Sequence, residues 1–254
     1  MKLSQSKSKY IKSLHRGRYR QKYQNFIAEG TRIVDEMLHD EHVSIELIVA
    51  LPEWIDRNPA ITSTYKHILY EADEKSFGEL SLLSTPNQVL VVARQPEQQL
   101  DIRAAGNGLT LYLDRIQDPG NLGAILRIAD WFGIKNVVRS PGTVQVFNPK
   151  VIQSSMGAFL RINSPQMELK QLRTQLEGLP VFAATLNGKS VYDHSFPACA
   201  ILVLGNESGG VSEQLLHVAD QLLTIPKGKG GFAESLNASV ACGILVSEWA
   251  RQRK

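Results

Sequence analysis

The sequence predicts an α/β protein built from two domains and a linker. Short apolar runs alternate with amphipathic stretches along most of its 254 residues, which is the pattern of alternating strands and helices. A polar stretch at residues 94–107, which contains a proline and a glycine, interrupts this alternation and is typical of a linker. We therefore predict a first domain over residues 1–95, a linker over residues 96–107 and a second domain over residues 108–254.

The first domain is predicted to be a small α/β unit. Four apolar runs have the length and composition of strands, and two stretches repeat their apolar residues at helical spacing. The predicted strands are residues 26–28, 45–51, 67–70 and 89–93, and the predicted helices are residues 32–38 and 74–80.

The second domain is predicted to contain a mostly parallel sheet covered on both faces, because its strands and helices alternate along the chain. The predicted strands are residues 109–113, 136–139, 181–185, 201–204 and 222–225. The predicted helices are residues 122–132, a stretch that opens at Asn148-Pro149, and residues 235–251. The last helix is apolar nearly all round at its start, so we expect it to be buried on more than one side.

The cysteines and the hydropathy indicate the compartment in which the protein functions. Cys199 and Cys242 each lie in an apolar run, which is typical of reduced core thiols and favours a reducing compartment. The N-terminus is polar and basic, and no apolar run approaches the roughly 20 residues that a membrane-spanning helix needs. We therefore expect a cytoplasmic protein with no membrane partner.

Positive charge is concentrated near the N-terminus. Residues 1–28 contain eight Lys/Arg and no Asp/Glu, which leaves 20 Lys/Arg against 25 Asp/Glu in the remainder of the chain. A basic segment on an acidic body is suited to phosphate contacts, although an ordinary solvated surface or a frayed terminus would also explain the charge. Four interleaved rings, Tyr10, His15, Tyr19 and Tyr23, could stack on unpaired bases. The candidate RNA-binding residues are Lys9, Lys12, Arg16, Arg18, Arg20 and Lys22.

Three loops that are rich in Gly, Asn and Ser follow strands of the second domain. Ligands of open α/β sheets bind beyond the carboxyl ends of strands, so all three loops are candidates for one pocket. The first loop carries Asn121 and, six residues later, Arg127. Helix-start amides and a guanidinium can together hold a phosphate. An ordinary capped helix with a surface arginine explains the same residues.

The second and third loops carry further polar side chains. Residues 202–210 place Gly205 and Glu207 after a strand, where small residues let a flat ligand approach the backbone; a plain turn with a solvated glutamate is the alternative. In the third loop Ser235 could serve only as a helix cap, whereas Asn237 in the first turn of a buried helix would need a partner. Neither a GxGxxG fingerprint nor a P-loop occurs in the chain.

Taken together and in order, the three loops resemble the signature motifs of the SpoU/TrmH RNA ribose methyltransferases. The matching segments are Asn121-x-Gly123-x-x-x-Arg127, Leu204-Gly205-Asn206-Glu207-x-x-Gly210, and Ile225-Pro226 followed by residues 234–241. The first hundred residues resemble the L30e-like, ribosomal-protein-like substrate-binding domain of that family, notably at Ile11-x-x-Leu14 and Phe26-x-x-Glu29-Gly30. Two departures from the family pattern are a glycine-rich stretch before Glu234 that is about two residues longer, and Ala238 where valine is common.

The resemblance implies a fold, a reaction and a set of site residues. It implies a C-terminal SPOUT domain with a trefoil knot, a homodimer with the site at the subunit interface, and S-adenosylmethionine as the cofactor. The reaction is methyl transfer to a ribose 2′-hydroxyl of structured RNA, ribosomal in preference to transfer RNA. The implied catalytic residues are Arg127, Asn121, Glu207, Ser235 and Asn237. The candidate cofactor-binding residues are Thr185, Leu186, Asn187, Leu204, Gly205, Asn206, Glu207, Ile225, Leu236 and Asn237, and no metal is expected.

Two other functions compete with this interpretation. A noncatalytic RNA-binding protein could keep the fold, although the presence of Asn121, Arg127, Glu207 and Asn237 argues against a lost active site. A different nucleotide-dependent α/β enzyme is disfavoured by the missing phosphate-binding fingerprints. Because an arginine pKa exceeds about 12, Arg127 is a poor general base and is better suited to positioning a phosphate and the hydroxyl.

Overall fold

The computed structural model describes residues 1–253 and divides into two compact units. Unit 1 contains residues 1–97 together with 147–157, and unit 2 contains residues 98–146 together with the chain from residue 158 onward. Through residue 97 the elements are α1 (Gln5–Ser13), α2 (Gly17–Tyr23), β1 (Asn25–Glu29), α3 (Thr31–His39), β2 (Ile45–Ala50), α4 (Pro52–Arg57), α5 (Pro59–Thr64), β3 (Leu69–Glu71), α6 (Glu74–Gly78) and β4 (Val89–Arg94).

Helices and strands alternate along most of the remaining chain. They are α7 (Ile102–Gly106), β5 (Leu109–Leu113), α8 (Pro119–Trp131), β6 (Asn136–Arg139), α9 (Pro149–Ser155), α10 (Leu169–Gln175), β7 (Val181–Ser190), β8 (Ala200–Leu204), α11 (Glu213–Val218), β9 (Gln221–Thr224) and α12 (Ala238–Arg251). Two short 3-10 helices lie at Ala158–Leu160 and Val191–Asp193. Helix α9 belongs to unit 1, and the other elements of this group belong to unit 2.

Unit 1 is a mixed four-stranded sheet with helices. Its strand order is β1-β4-β2-β3; β4 runs antiparallel to both neighbours, and β2 and β3 are parallel. The basic N-terminal segment is part of this core, because Ile11 and Leu14 are fully buried beside Leu47, Val49 and Leu90. The alternative of a frayed terminus is therefore wrong: the apolar side of α1 holds the segment on the unit.

Unit 2 is a five-stranded sheet in which every pairing is parallel, as the alternation predicts. The strand order is β6-β5-β8-β7-β9. Tyr112, Val138 and Val203 pack in one buried cluster with side chains of α7 and α10. Successive strand residues point to opposite faces, so the equally buried Leu111 and Leu202 lie on the other face. Both faces of the sheet are therefore covered.

The differences from the sequence prediction lie at element ends and in short helices. The expected strand at 181–185 continues to Ser190 as β7, and the expected helix at 235–251 begins at Ala238. Part of the expected linker forms α7, which the Asp101 side chain caps and in which Ala105 is buried. Such helices of five to seven residues are stabilised by caps and tertiary packing. They are too short to show a repeat of apolar residues in the sequence.

No helix within residues 1–253 is long and apolar enough to cross a membrane. The trefoil knot that the resemblance implies stays a prediction, as do the domain bounds 1–95, 96–107 and 108–254.

Candidate functional site

The three predicted loops of unit 2 lie at one edge of its sheet. Strands β5, β8, β7 and β9 are parallel, so their carboxyl ends point the same way. The chain leaves β5 at residue 114, β8 at residue 205 and β9 at residue 225, and each exit leads into one of the predicted loops. Parallel pairing therefore gathers at one place the segment after residue 114 and two segments that begin at residues 205 and 225.

Asn121 is positioned by the start of α8. The Asp118 carboxylate caps this helix and accepts a hydrogen bond from the Asn121 backbone N–H at 2.9 Å, and Pro119 occupies the first helical turn. The carboxamide of Asn121 is buried in that turn, with 7% of the residue exposed. A buried carboxamide requires partners for both its oxygen and its amide group.

Those partners come from the other two loops. Asn121 Nδ2 donates to Glu207 Oε1 at 2.6 Å, and Asn237 Nδ2 donates to Asn121 Oδ1 at 2.9 Å. The Ser239 hydroxyl lies 3.4 Å from the same Asn121 oxygen. One hydrogen-bonded network, Glu207–Asn121–Asn237, thus joins all three loops, and we call it the three-loop network.

Asn237 has a second role that fixes its orientation. Its Oδ1 caps α12 by accepting the backbone N–H groups of Ser239 at 2.9 Å and Val240 at 3.3 Å, which leaves its amide group for Asn121. The possibility that Ser235 caps this helix is wrong, because the helix starts three residues later. The Ser235 side chain is exposed and makes no hydrogen bond within residues 1–253.

The loop after β8 is held in a closed turn. The backbones of Asn206 and Gly210 exchange hydrogen bonds at 3.0 and 2.9 Å, and the Asn206 Oδ1 accepts the Ser208 backbone N–H at 2.9 Å. A Cβ on Gly205 would overlap the backbone of Gly210 and Val211, so only glycine fits there. The turn presents the exposed Glu207 to Asn121.

Asp114 and Arg115 also hold this loop, and the sequence analysis missed both. Asp114 is 3% exposed; its Oδ2 accepts the Ser212 backbone N–H at 2.8 Å, and its Oδ1 pairs with the Arg115 Nε at 3.1 Å. The Arg115 carbonyl accepts the Asn206 Nδ2 at 2.6 Å from a backbone with φ of 55°. The signal available in the sequence was a carboxylate directly after a buried apolar strand.

The candidate cofactor residues surround the same edge. Strand β7 bulges after Ala184, because Leu223 of β9 is paired with both Ala184 and Lys189. The bulge contains Thr185, Leu186 and Asn187, with Leu186 69% exposed. Of the others, Leu204 is buried at the end of β8, Ile225 is partly buried after β9, and Leu236 is half-exposed before α12. The backbone of the bulge and of the segments that follow β8 and β9 can receive a flat ligand.

Arg127 stands apart from the three-loop network. It lies six residues beyond Asn121 on α8, about 9 Å along the helix axis. Its side chain is exposed and makes no hydrogen bond or ion pair within residues 1–253. The guanidinium is therefore available to a ligand, but the structure does not connect it to Asn121.

The candidate RNA-binding residues fall into different environments. Lys9, Arg16, Arg18 and Lys22 are exposed, and Lys12 forms an ion pair with Glu79 at 2.7 Å.

Arg20, unlike the other candidate RNA-binding residues, lies in the interior of unit 1. Only 3% of this residue is exposed, and its Nη1 donates to the carbonyls of Leu14 and His15 at 2.9 Å each. Burial lowers the pKa of its guanidinium. Arg20 fastens the end of α1 to α2 because the carbonyls at a helix C-terminus need donors.

No group of three or more His, Cys, Asp or Glu side chains in the described chain is placed to hold a metal ion.

Comparisons with known proteins identify relatives of both parts of the chain. The model of the SpoU rRNA methylase family matches residues 108–247, and the model of the MRM3-like substrate-binding domain matches residues 5–91. RlmP of Bacillus subtilis strain 168, a 23S rRNA (guanosine(2553)-2′-O)-methyltransferase, is 34% identical over 94% of this chain and 94% of its own.

Solved structures agree with these matches along the whole chain. A TrmH-family protein from Porphyromonas gingivalis has a TM-score of 0.84 and 36% identity, covering 99% of this chain and 100% of its own. An AdoMet-bound rRNA methyltransferase from Sinorhizobium meliloti has a TM-score of 0.84 and 25% identity, covering 100% and 97%. The resemblance of the three loops is thereby confirmed: the chain belongs to the SpoU rRNA methylase family.

Proposed function

We propose that this protein transfers a methyl group from S-adenosylmethionine to a ribose 2′-hydroxyl of structured ribosomal RNA. The observation that carries the proposal is the three-loop network, which brings Glu207, Asn121 and Asn237 into hydrogen-bonding contact at the carboxyl edge of a parallel sheet. The activity named for RlmP and the AdoMet-bound relative support the same reaction and cofactor.

The residues at this edge fit the cofactor chemically. The bulge at residues 185–187 and the turn at residues 204–207 offer exposed backbone and carboxamide groups to an adenosine and an amino-acid moiety, and Ile225 and Leu236 offer apolar contacts. When bound, the cofactor supplies a methyl group already activated by its sulfonium charge. The protein's contribution is therefore to hold the ribose hydroxyl in line with that methyl group and to help it lose its proton.

The charged residues have separate roles in this proposal. Arg127 binds the phosphate beside the target ribose and orients the 2′-hydroxyl, since an arginine stays protonated at neutral pH. Glu207 fixes the Asn121 carboxamide, and Ser235 and Asn237 complete the polar surroundings of the hydroxyl. These residues would hold the ribose hydroxyl where its proton can pass to water or to an RNA phosphate, while the bound cofactor would supply the methyl group.

A homodimer in the cytoplasm completes the proposal. Large apolar side chains near the site are open to solvent in the single chain: Phe232 is 96% exposed and Val240 50%. A second copy that covers them would bury apolar surface and exclude water from the site. Sedimentation at micromolar concentration should report a dimer, and a clean monomer would count against a site built at an interface.

The direct test uses the reaction product. The purified protein is incubated with methyl-labelled S-adenosylmethionine and total RNA from a strain that lacks it, and alkali-resistant linkages are mapped, because 2′-O-methylation blocks alkaline cleavage. We expect label at one alkali-resistant position of ribosomal RNA. Absence of label, with cofactor binding verified, would instead support a noncatalytic RNA-binding protein.

A further inference from the structure

Helix α2 of unit 1 carries two stacked tyrosines on one side. Tyr19 and Tyr23 are four residues apart, so they lie one above the other on the helix. Their ring centroids are 6.2 Å apart with an interplanar angle of 11°. Tyr10 of α1 meets the Tyr23 ring edge-on at 5.3 Å and 78°. We call these three rings the tyrosine surface.

Each stacked ring is covered by a cation from the adjacent residue. The Arg18 guanidinium lies 4.6 Å from the Tyr19 centroid, and the Lys22 ammonium lies 5.3 Å from the Tyr23 centroid. Arg18 and Lys22 are themselves four residues apart and exposed. Two aromatic rings and two exposed positive charges therefore repeat together along one helix.

One of the three rings, Tyr10, is tied to the interior of unit 1. The Tyr10 hydroxyl accepts a hydrogen bond from Asn25 Nδ2 at 2.7 Å, and Asn25 is only 3% exposed. Asn25 also contacts Glu46, which is the acidic group close to this surface. Arg20 fastens α2 to α1 on the buried side. A ligand would meet rings whose positions are already set, which lowers the entropy lost on binding.

We propose that the tyrosine surface binds an unpaired base of the RNA substrate by stacking on Tyr19 and Tyr23. The base displaces Arg18 and Lys22 from the ring faces, and the two cations move to the phosphates on either side of it. Stacking of a base on an aromatic ring is stronger than a solvent-exposed cation–π contact, so the exchange is favourable. Base-paired nucleotides have both faces covered by neighbouring bases, so a duplex cannot use these rings.

This inference rests on the proposed function only in taking RNA as the ligand, and its test requires no methyl transfer. The affinity of the full-length protein is measured by fluorescence anisotropy for a labelled single-stranded RNA of about ten nucleotides and for the same sequence as a duplex, at several salt concentrations. The wild-type protein should prefer the single strand.

The variants separate stacking from charge. Tyr23→Ala should weaken single-strand binding about tenfold without changing the slope of affinity against salt, and should leave duplex binding unchanged. Lys22→Ala should instead reduce that slope, because one phosphate contact is lost. Tyr23→Phe should bind like the wild type, and Tyr192→Ala, which removes an exposed tyrosine of unit 2, is the matched control.

Tyr23→Leu keeps an apolar side chain against Tyr10 and provides a second variant in case Tyr23→Ala unfolds α2, which circular dichroism would detect. Equal weakening of single strand and duplex, or unchanged affinity of a folded Tyr23→Leu protein, would overturn the proposal. If the Tyr23→Leu protein bound single-stranded RNA like the wild type and the protein still methylated ribosomal RNA, the proposed function would stand and this inference would be wrong.

Discussion

The two sheets of this protein differ in strand direction, and the candidate ligand sites of the two units lie on different kinds of element. In unit 2 all pairings are parallel, so the segments after β5, β8 and β9 converge and their polar side chains meet in the three-loop network. In unit 1 the strand β4 is antiparallel to β1 and β2, so its carboxyl end lies at the opposite edge from those of β1, β2 and β3. Its candidate ligand surface lies instead on the helices α1 and α2.

Two arginines show the same contrast. Arg127 in unit 2 is exposed and makes no hydrogen bond or ion pair within residues 1–253, whereas Arg20 in unit 1 is buried with two backbone acceptors. An exposed, unpaired guanidinium contributes little to folding and is available for a ligand. A buried guanidinium that is bonded to backbone carbonyls stabilises the fold.

The largest expected effect is on catalysis by unit 2. Arg127→Ala should lower kcat/KM for methyl transfer by about 10²–10³-fold, since it removes a positioning charge at the reacting centre. The free energy of unfolding should not change, because the side chain has no partner within the described chain. Kinetics and urea denaturation measure the two quantities. Arg103→Ala, another exposed arginine of unit 2, is the control, and full activity of Arg127→Ala would show that its assigned role is wrong.

A somewhat smaller loss is expected from the three-loop network itself. Asn121→Ala removes the group that links Glu207 to Asn237 and should lower kcat/KM by about 100-fold. It should also destabilise the protein by about 1–2 kcal/mol, because two side-chain hydrogen bonds of the buried carboxamide are lost. Asn107→Ala, at an exposed asparagine whose side chain donates to the Arg103 carbonyl, should leave kcat/KM unchanged and lower stability by less than Asn121→Ala does. Destabilisation without loss of activity would mean that the network serves folding only.

In unit 1 the corresponding change acts on stability. Arg20→Ala should lower the free energy of unfolding by about 2 kcal/mol, because the carbonyls of Leu14 and His15 lose a charged donor. Lys22→Ala, two residues away and exposed, should leave stability unchanged. Thermal or urea unfolding measures the free energy of unfolding of both variants. Equal stability of both variants would contradict the structural role of Arg20.

The smallest effect concerns the reactivity of the two cysteines of unit 2. Cys242 is fully buried, and burial raises the pKa of its thiol to about 12, so at pH 8 it is protonated and shielded. Cys199 is partly exposed. A thiol reagent such as DTNB should label one cysteine per folded chain and both after denaturation. Rapid labelling of both in the native protein would indicate that this interior opens to solvent.

Much of unit 2 can be predicted from local sequence pattern. The strands at 109–113, 136–139 and 201–204 are confirmed within one residue, because buried parallel strands appear as continuous apolar runs. The order of the three loops was sufficient to indicate the family. These features depend on residues that are close together in the chain, which is why the sequence alone determines them.

Tertiary structure decided the rest. Asn121 meets Glu207 across 86 residues of sequence and Asn237 across 116, and no local pattern encodes such partners. The same holds for Arg20, whose charge predicts an exposed side chain. Its burial depends on two helix-end carbonyls, and only the packing of α1 and α2 brings these within reach. The sequence by itself determined the longer strands and helices and the chemistry that they carry. Only the folded chain decided which polar groups are buried together, because burial and hydrogen bonding depend on neighbours in space.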